Sequence, residues 1–191
     1  MSIDSINNLD FIGIETVKEH FSLTALQIQQ FTALGELYRD WNAKINVISR
    51  KDIDNLYPHH ILHSLALAKV LHFEDGTQLL DVGTGGGFPG IPLAILFPNC
   101  HFTLIDSIGK KIRVATEIAN AIGLKNVTCI QERAEMEKGK FDFVISRAVM
   151  PLGDLVKLIR KNVCRRCCQQ FHTGKARNTF TAAGLADDSH F

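Results

Sequence analysis

A chain of 191 residues, 46% of them hydrophobic, can bury the core of one domain with a small appendage. Its 21 basic and 20 acidic residues nearly cancel, so bulk charge does not announce nucleic acid, although a local basic face remains open. No apolar run reaches the ~18 residues a membrane-spanning helix needs.

The first thirty residues lack the basic start and apolar core of a signal peptide. Cysteines stand at 100, 129, 164, 167 and 168, with no framework in the first half, and a reducing cytoplasm is expected. Residues 1 to 21 have no strong period and read as a loose or partly helical lead-in. From Ser22, taken as an N-cap, the apolar positions Leu26, Ile28, Phe31, Leu34, Leu37, Tyr38 and Trp41 recur mostly at spacings of three and four. That spacing predicts an amphipathic helix. A second helix is expected from about Asp52, interrupted near Pro58 and ending at Leu71. Residues 1 to 75 thus form a helical extension.

After Asp75-Gly76 strands and helices alternate. Strands are expected at Gln78 to Val82, His101 to Asp106, Val127 to Gln131 and Phe141 to Ser146, with helices at 89 to 97, 109 to 122 and 151 to 162. Alternation with apolar strands implies a parallel, doubly wound α/β sheet over residues 76 to 163. From Cys164 to Phe191 the pattern stops. That tail is expected to be poorly structured, with further strands of the sheet missing.

The most informative stretch is LLDVGTGGGFPGIPLAILF at 79 to 97: a buried strand, a glycine turn and a helix. Gly83, Gly85, Gly86 and Gly87 suit positive φ and close approach of a ligand to backbone N–H groups. The helix from Pro89 would aim its N-terminal amides at the same spot. Three readings compete: a turn that binds nothing, a dinucleotide site, and an S-adenosyl-L-methionine site. Gly85-Gly86-Gly87-Phe88-Pro89-Gly90 satisfies G-x-G-x-x-G, but in that register Pro89 sits inside the turn. Starting at Gly83 instead puts Phe88 where a pyrophosphate must approach. The form D-x-G-x-G-x-G is complete from Asp81 to Gly87 and suits a ligand that carries an ammonium and a carboxylate but no pyrophosphate. Asp106 ends the next strand, 19 residues after Gly87, where a carboxylate can accept ribose hydroxyls or cap the following helix.

Several stretches together resemble the bacterial RsmG (GidB) family of methyltransferases, which act on guanine N7 of 16S ribosomal RNA. They are WNAKINVISRKD at 41 to 52, HHILHSL at 59 to 65 and LLDVGTGGGFPGIPLAILFP at 79 to 98. IDSIGKKIRVATEIANAIGLKNV at 105 to 127, RAE at 133 to 135 and SRAV at 146 to 149 continue them. The resemblance spans residues 20 to 163 and implies a class I, Rossmann-like methyltransferase sheet with a helical N-terminal extension. It also implies S-adenosyl-L-methionine as cofactor, with contacts at Gly83, Phe88, Ala134, Glu135 and Arg147 beside Asp81, Gly85 and Asp106. A monomer acting on the RNA or the small ribosomal subunit is expected, with no metal.

N7 of guanine carries no proton, so no general acid or base is assigned. Lys110, Lys111, Arg113, Arg50 and Lys51 are candidate phosphate contacts, against the plainer reading of a solvated face. His59, His60 and His63, and separately Cys164, Cys167, Cys168 and His172, have zinc-like spacings but lack the flanking patterns. The family would continue past Val163 with more strands, so the tail is expected to be out of frame or replaced, with impaired activity. Rival functions are a non-catalytic RNA-binding or assembly module and an NAD-binding oxidoreductase.

Overall fold

Residue alternation along the strands sorts the core into two faces. Leu79, Phe102, Leu104, Phe143 and Ile145 point to one side of the sheet, and Leu80, Val82, Ile105 and Val144 to the other. The computed structural model describes residues 8–147 and 149–164. Its four strands are β1 (Gln78–Val82), β2 (His101–Asp106), β3 (Val127–Gln131) and β4 (Phe143–Ser146). All neighbours pair in parallel, in the order β3-β2-β1-β4. The chain therefore reverses its direction of growth between β1 and β4, and ligands of such sheets bind beyond the carboxyl ends at that point. This is the Rossmann-like α/β architecture expected from the alternation.

The helices are α1 (Asn8–His20), α2 (Ala25–Lys44), α3 (His63–Leu65), α4 (Gly90–Leu96), α5 (Gly109–Ala121) and α6 (Leu152–Ile159). The helix expected from Ser22 is capped instead by Thr24. Its hydroxyl accepts from the Gln27 N–H and the Gln27 side chain accepts from the Thr24 N–H, a complete capping box. The lead-in is more ordered than its weak period suggests, because α1 docks on α2 where Gly35 leaves room for the Asp10 carboxylate. Asp10 in turn pairs with Arg39. The helix expected from Asp52 to Leu71 is a succession of pitches: 3-10 at Ile53–Asn55, π at Leu56–Leu62, α3, then 3-10 at Ala66–Lys69. Pro58 lies inside the π segment, where wider turns accommodate its missing N–H.

Phe141 was expected inside β4 but makes only an isolated bridge to Val163. One apolar cluster runs from Ile14 on α1 through α2, α4 and α5 to Ile145, so the N-terminal helices and one face of the sheet share a core. The other face packs against α6 through Leu155 and Ile159. Expectations for Cys167, Cys168, His172 and the rest of the tail lie outside the described residues. Among the described residues, no helix is long and apolar enough to cross a membrane.

Candidate functional site

The carboxyl ends of all four strands open into one cleft of about 550 Å³. Its lining includes Gly83, Gly85, Gly86 and Phe88 after β1, Asp106 after β2, Ala134 and Glu135 after β3, and Arg147 and Val149 after β4. Seven of the eight cofactor contacts expected from the sequence therefore meet around one space. Asp81 does not line it. It lies fully buried beneath the turn, where its Oδ2 accepts from the Thr84 hydroxyl at 2.7 Å and the Gly90 N–H at 2.9 Å.

These bonds correct two expectations about the glycine turn. The first amide of α4 is taken by Asp81 rather than offered to a ligand. Most other turn amides are also engaged: Gly83 and Thr84 donate to the Ile105 carbonyl, and Gly87 and Phe88 to the Thr84 carbonyl. Gly86 alone in the turn has an N–H without an acceptor among the described residues. Positive φ is needed at Gly83, Gly85 and Gly87 but not at Gly86. Gly86 is instead a close-approach glycine, since a Cβ there would stand 3.0 Å from Val47.

Asp106 joins two turns. One carboxylate oxygen accepts from the Gly85 N–H at 3.0 Å and the other from the Ile108 N–H at 2.8 Å, just ahead of α5. It thus fills the helix-capping role while fixing the glycine turn to the end of β2. Each oxygen keeps a further lone pair for a ligand hydroxyl. Phe88 is both core and wall: it stacks on Tyr38 with centroids 4.6 Å apart, and the Arg147 guanidinium lies 5.3 Å from its ring centre. The Glu135 carbonyl accepts from the Lys161 ammonium, which ties the β3 side of the cleft to the end of α6.

Burial dominates the electrostatics. The Asp81 carboxyl is pushed up to about 7 by desolvation, against the pull of its Thr84 and Gly90 bonds and of Arg147. Its Oδ1 has no hydrogen-bond partner among the described residues. Burial also draws the Arg147 guanidinium below its ordinary range, with Asp81 acting in the opposite direction.

The family model for GidB, rRNA small subunit methyltransferase G, matches residues 27–176. The chain belongs to that family. The matched span passes Val163, so the likeness to GidB does not end where the strand pattern stops. Ribosomal RNA small subunit methyltransferase G of Phocaeicola vulgatus is 68% identical over 151 residues, which is 78% of this chain and 72% of that one. Its namesake from Bacteroides fragilis is 70% identical over 141 residues, 74% of this chain and 68% of that one. A solved SAM-dependent methyltransferase from Thiobacillus denitrificans, in complex with S-adenosyl-L-homocysteine, superposes with a TM-score of 0.49 at 19% identity. The overlap is 65% of this chain and 50% of that one.

Sequence reasoning missed a polar chain that supports the GidB cleft from outside. The Asp52 carboxylate accepts from His59 Nδ1 at 2.6 Å and from His60 Nε2 at 2.7 Å. Arg147 donates to His60 Nδ1 at 3.0 Å and to the His59 carbonyl at 3.2 Å. His59 and His60 thus serve a carboxylate and an arginine, and no cluster fit to hold a metal occurs among the described residues. Their pairing with Arg147 spans 87 and 88 positions, beyond the reach of any local spacing rule. Tyr38 and Val47 were missed as site residues too. The Tyr38 hydroxyl donates to the Gly86 carbonyl at 2.8 Å, and Val47 lines the cleft.

Proposed function

We propose that this chain is an S-adenosylmethionine-dependent methyltransferase that modifies guanine N7 of 16S ribosomal RNA. It would work as a cytoplasmic monomer on the RNA or the small ribosomal subunit. Its place in the GidB family supports this reading, as do relatives whose names state methyl transfer to small-subunit ribosomal RNA. The observation that carries it is the single cleft at the switch between β1 and β4, which gathers the glycine turn, Asp106, Phe88 and Arg147.

The lining fits the cofactor. A volume of about 550 Å³ is ordinary for a small-molecule site. The Gly86 N–H is an unengaged donor, Asp106 has acceptor capacity left, and a Cβ at Gly85 would meet nothing within 4 Å. Gly83, Gly85 and Phe88 would hold the methionine end, Asp106 the ribose hydroxyls, Ala134 and Glu135 the adenine, and Arg147 the anionic group. Asp81 would act from below by shaping the turn. Bound there, S-adenosylmethionine supplies a methyl group made electrophilic by its sulfonium.

The chain's own residues have little proton chemistry to perform, because guanine N7 has an in-plane lone pair and no proton. Their task is alignment and exclusion of water, with Phe88 and Val149 as apolar walls. Buried dipoles around the cleft would stabilise charge moving onto the base. N7 lies on the Hoogsteen edge, so the RNA must offer a loop or an opened helix.

Two measurements test the proposal: calorimetric titration with S-adenosylhomocysteine, and tritiated methyl transfer to small-subunit ribosomal RNA followed by nucleoside analysis. Cofactor binding together with labelled 7-methylguanosine is expected. RNA binding without cofactor affinity would replace the enzyme with an assembly module.

A further inference from the structure

Trp41, the only tryptophan in the sequence, sits half-buried at the end of α2 and packs against the core. Two cations are gathered on it. The Lys44 ammonium lies 5.2 Å from the ring centre, and the Arg113 guanidinium, reaching over from α5, lies 6.0 Å away. Cation–π attraction holds both side chains without neutralising either. Among the described residues neither makes an ion pair. Glu117 stands one turn beyond Arg113 on α5, yet the arginine lies on the indole instead.

The position of the α5 cations adds a second argument. Lys110, Lys111 and Arg113 crowd the beginning of α5, which has no acidic residue in its first turn. Cations at the positive end of a helix dipole are unfavourably placed. Asp106, capping at the Ile108 N–H, is a single carboxylate shared with the Gly85 turn, whereas an external polyanion would meet all three cations. The dipole explains Lys44, in the last turn of α2, but it explains none of the α5 group.

The cluster is also tied to the cleft. Asn42 donates to the Ile48 carbonyl and accepts from the Val47 and Ile48 N–H groups, each at 2.9 Å, which folds the chain after α2 back on itself. Val47, held by this bracket, lines the cleft beside Gly86, and Lys111 lines it from the α5 side.

We propose that Lys44 and Arg113, held on Trp41, form a phosphate clamp that grips the substrate RNA strand at the rim of the cleft. This inference rests on the reading of the chain as an RNA methyltransferase and names the surface that reading requires. The indole acts as a rigid post, and the two cations face the backbone of a strand whose target base enters between Val47 and Lys111.

Trp41 is a built-in reporter, so the test is direct. Titrating the full chain with a small-subunit ribosomal RNA fragment should change the tryptophan emission, and the change should disappear at high salt. The double variant K44E/R113E should bind the RNA at least tenfold more weakly. Its log–log salt slope should fall by about 1.4 for a single strand or about 1.8 for a duplex, as expected for two lost phosphate contacts. S-adenosylhomocysteine affinity should not change. K44Q/R113Q should fall in between, with an unaltered melting temperature. Equal RNA affinity in wild type and K44E/R113E would overturn the clamp while leaving the proposed function standing. So would RNA binding without a change in Trp41 emission, or loss of S-adenosylhomocysteine binding in K44E/R113E. A wild-type chain that binds S-adenosylhomocysteine but no RNA at low salt would remove the clamp and the RNA substrate together.

Discussion

Arg147 donates to Nδ1 of His60 across 3.0 Å, and because a guanidinium can only donate, that nitrogen must be the unprotonated one. His60 is therefore a neutral imidazole whose proton sits on Nε2, directed at Asp52. Burial, and then the nearby Arg147 charge, push the His60 pKa below its usual 6.5, although the Asp52 bond pulls the other way. Protonation would remove the acceptor from Arg147 and add a cation beside it. A histidine with a depressed native pKa contributes stability above 6.5 and loses it as pH falls through the window below. S-adenosylhomocysteine affinity should weaken over the same window. His60→Gln, whose carbonyl can still receive Arg147, should flatten that dependence, and His60→Ala should lower affinity about tenfold at pH 7.5, the scale of one unsatisfied buried donor. Calorimetry from pH 5.5 to 8 checks both; an identical pH profile in wild type and His60→Gln would count against the assignment.

Asp81 predicts a pH slope of opposite sign. Its carboxyl is raised from 3.8 to about 7 by burial, so the native state holds a proton that the unfolded chain has released. The melting temperature should fall as pH rises from about 4 to 7. Asp81→Asn should lose this slope while keeping an acceptor for Thr84 and Gly90. Thermal melts of the two proteins across that range decide the matter.

The glycines of the turn should differ in how they tolerate a methyl group. At Gly85, with φ +59 and nothing within 4 Å, alanine faces only the left-handed backbone, which costs about 1 kcal/mol. At Gly83, with φ +70, the new Cβ would also stand 2.4 Å from a Val149 methyl. Gly83→Ala should therefore be clearly more destabilising in urea than Gly85→Ala. Val149→Ala should recover part of the difference.

Asp106→Ala should strip the Gly85 and Ile108 amides of their acceptor. A loss of about 1–2 kcal/mol in stability is expected, as for a removed helix cap. S-adenosylhomocysteine affinity should fall by more than tenfold, since the same carboxylate is the proposed ribose acceptor. Stability loss with undiminished affinity would confine Asp106 to its capping role.

The sheet was legible because each of its strands is a short apolar run bounded by turn residues, and β1, β2 and β3 begin and end where those runs do. β4 is shorter than its run because Phe141 pairs with Val163 outside the ladder. From Ile53 to Lys69 the interruption near Pro58 is legible but the succession of 3-10, π and α pitches is not, since hydrophobic spacing does not register a change of pitch. Within the cleft, residues beside the glycine turn could be placed by motif. The Asp52, His60 and Arg147 chain could not, because each partner is chosen by tertiary packing across a long stretch of sequence. The role of Asp81 was blurred for a related reason: a motif marks the residue but not whether it faces the ligand or the scaffold.

The phenol of Tyr38 reaches the Gly86 carbonyl from α2, forty-eight positions earlier in the chain. The ligand loop is thus clasped from behind by a helix that belongs to the other half of the sequence. An isolated sheet excised from residue 76 onward would keep every motif glycine yet lose the hand that holds them. Swapping the leading helices between related proteins should likewise succeed only where the tyrosine travels with a matching loop. What looks like an accessory is the back wall of the reaction chamber.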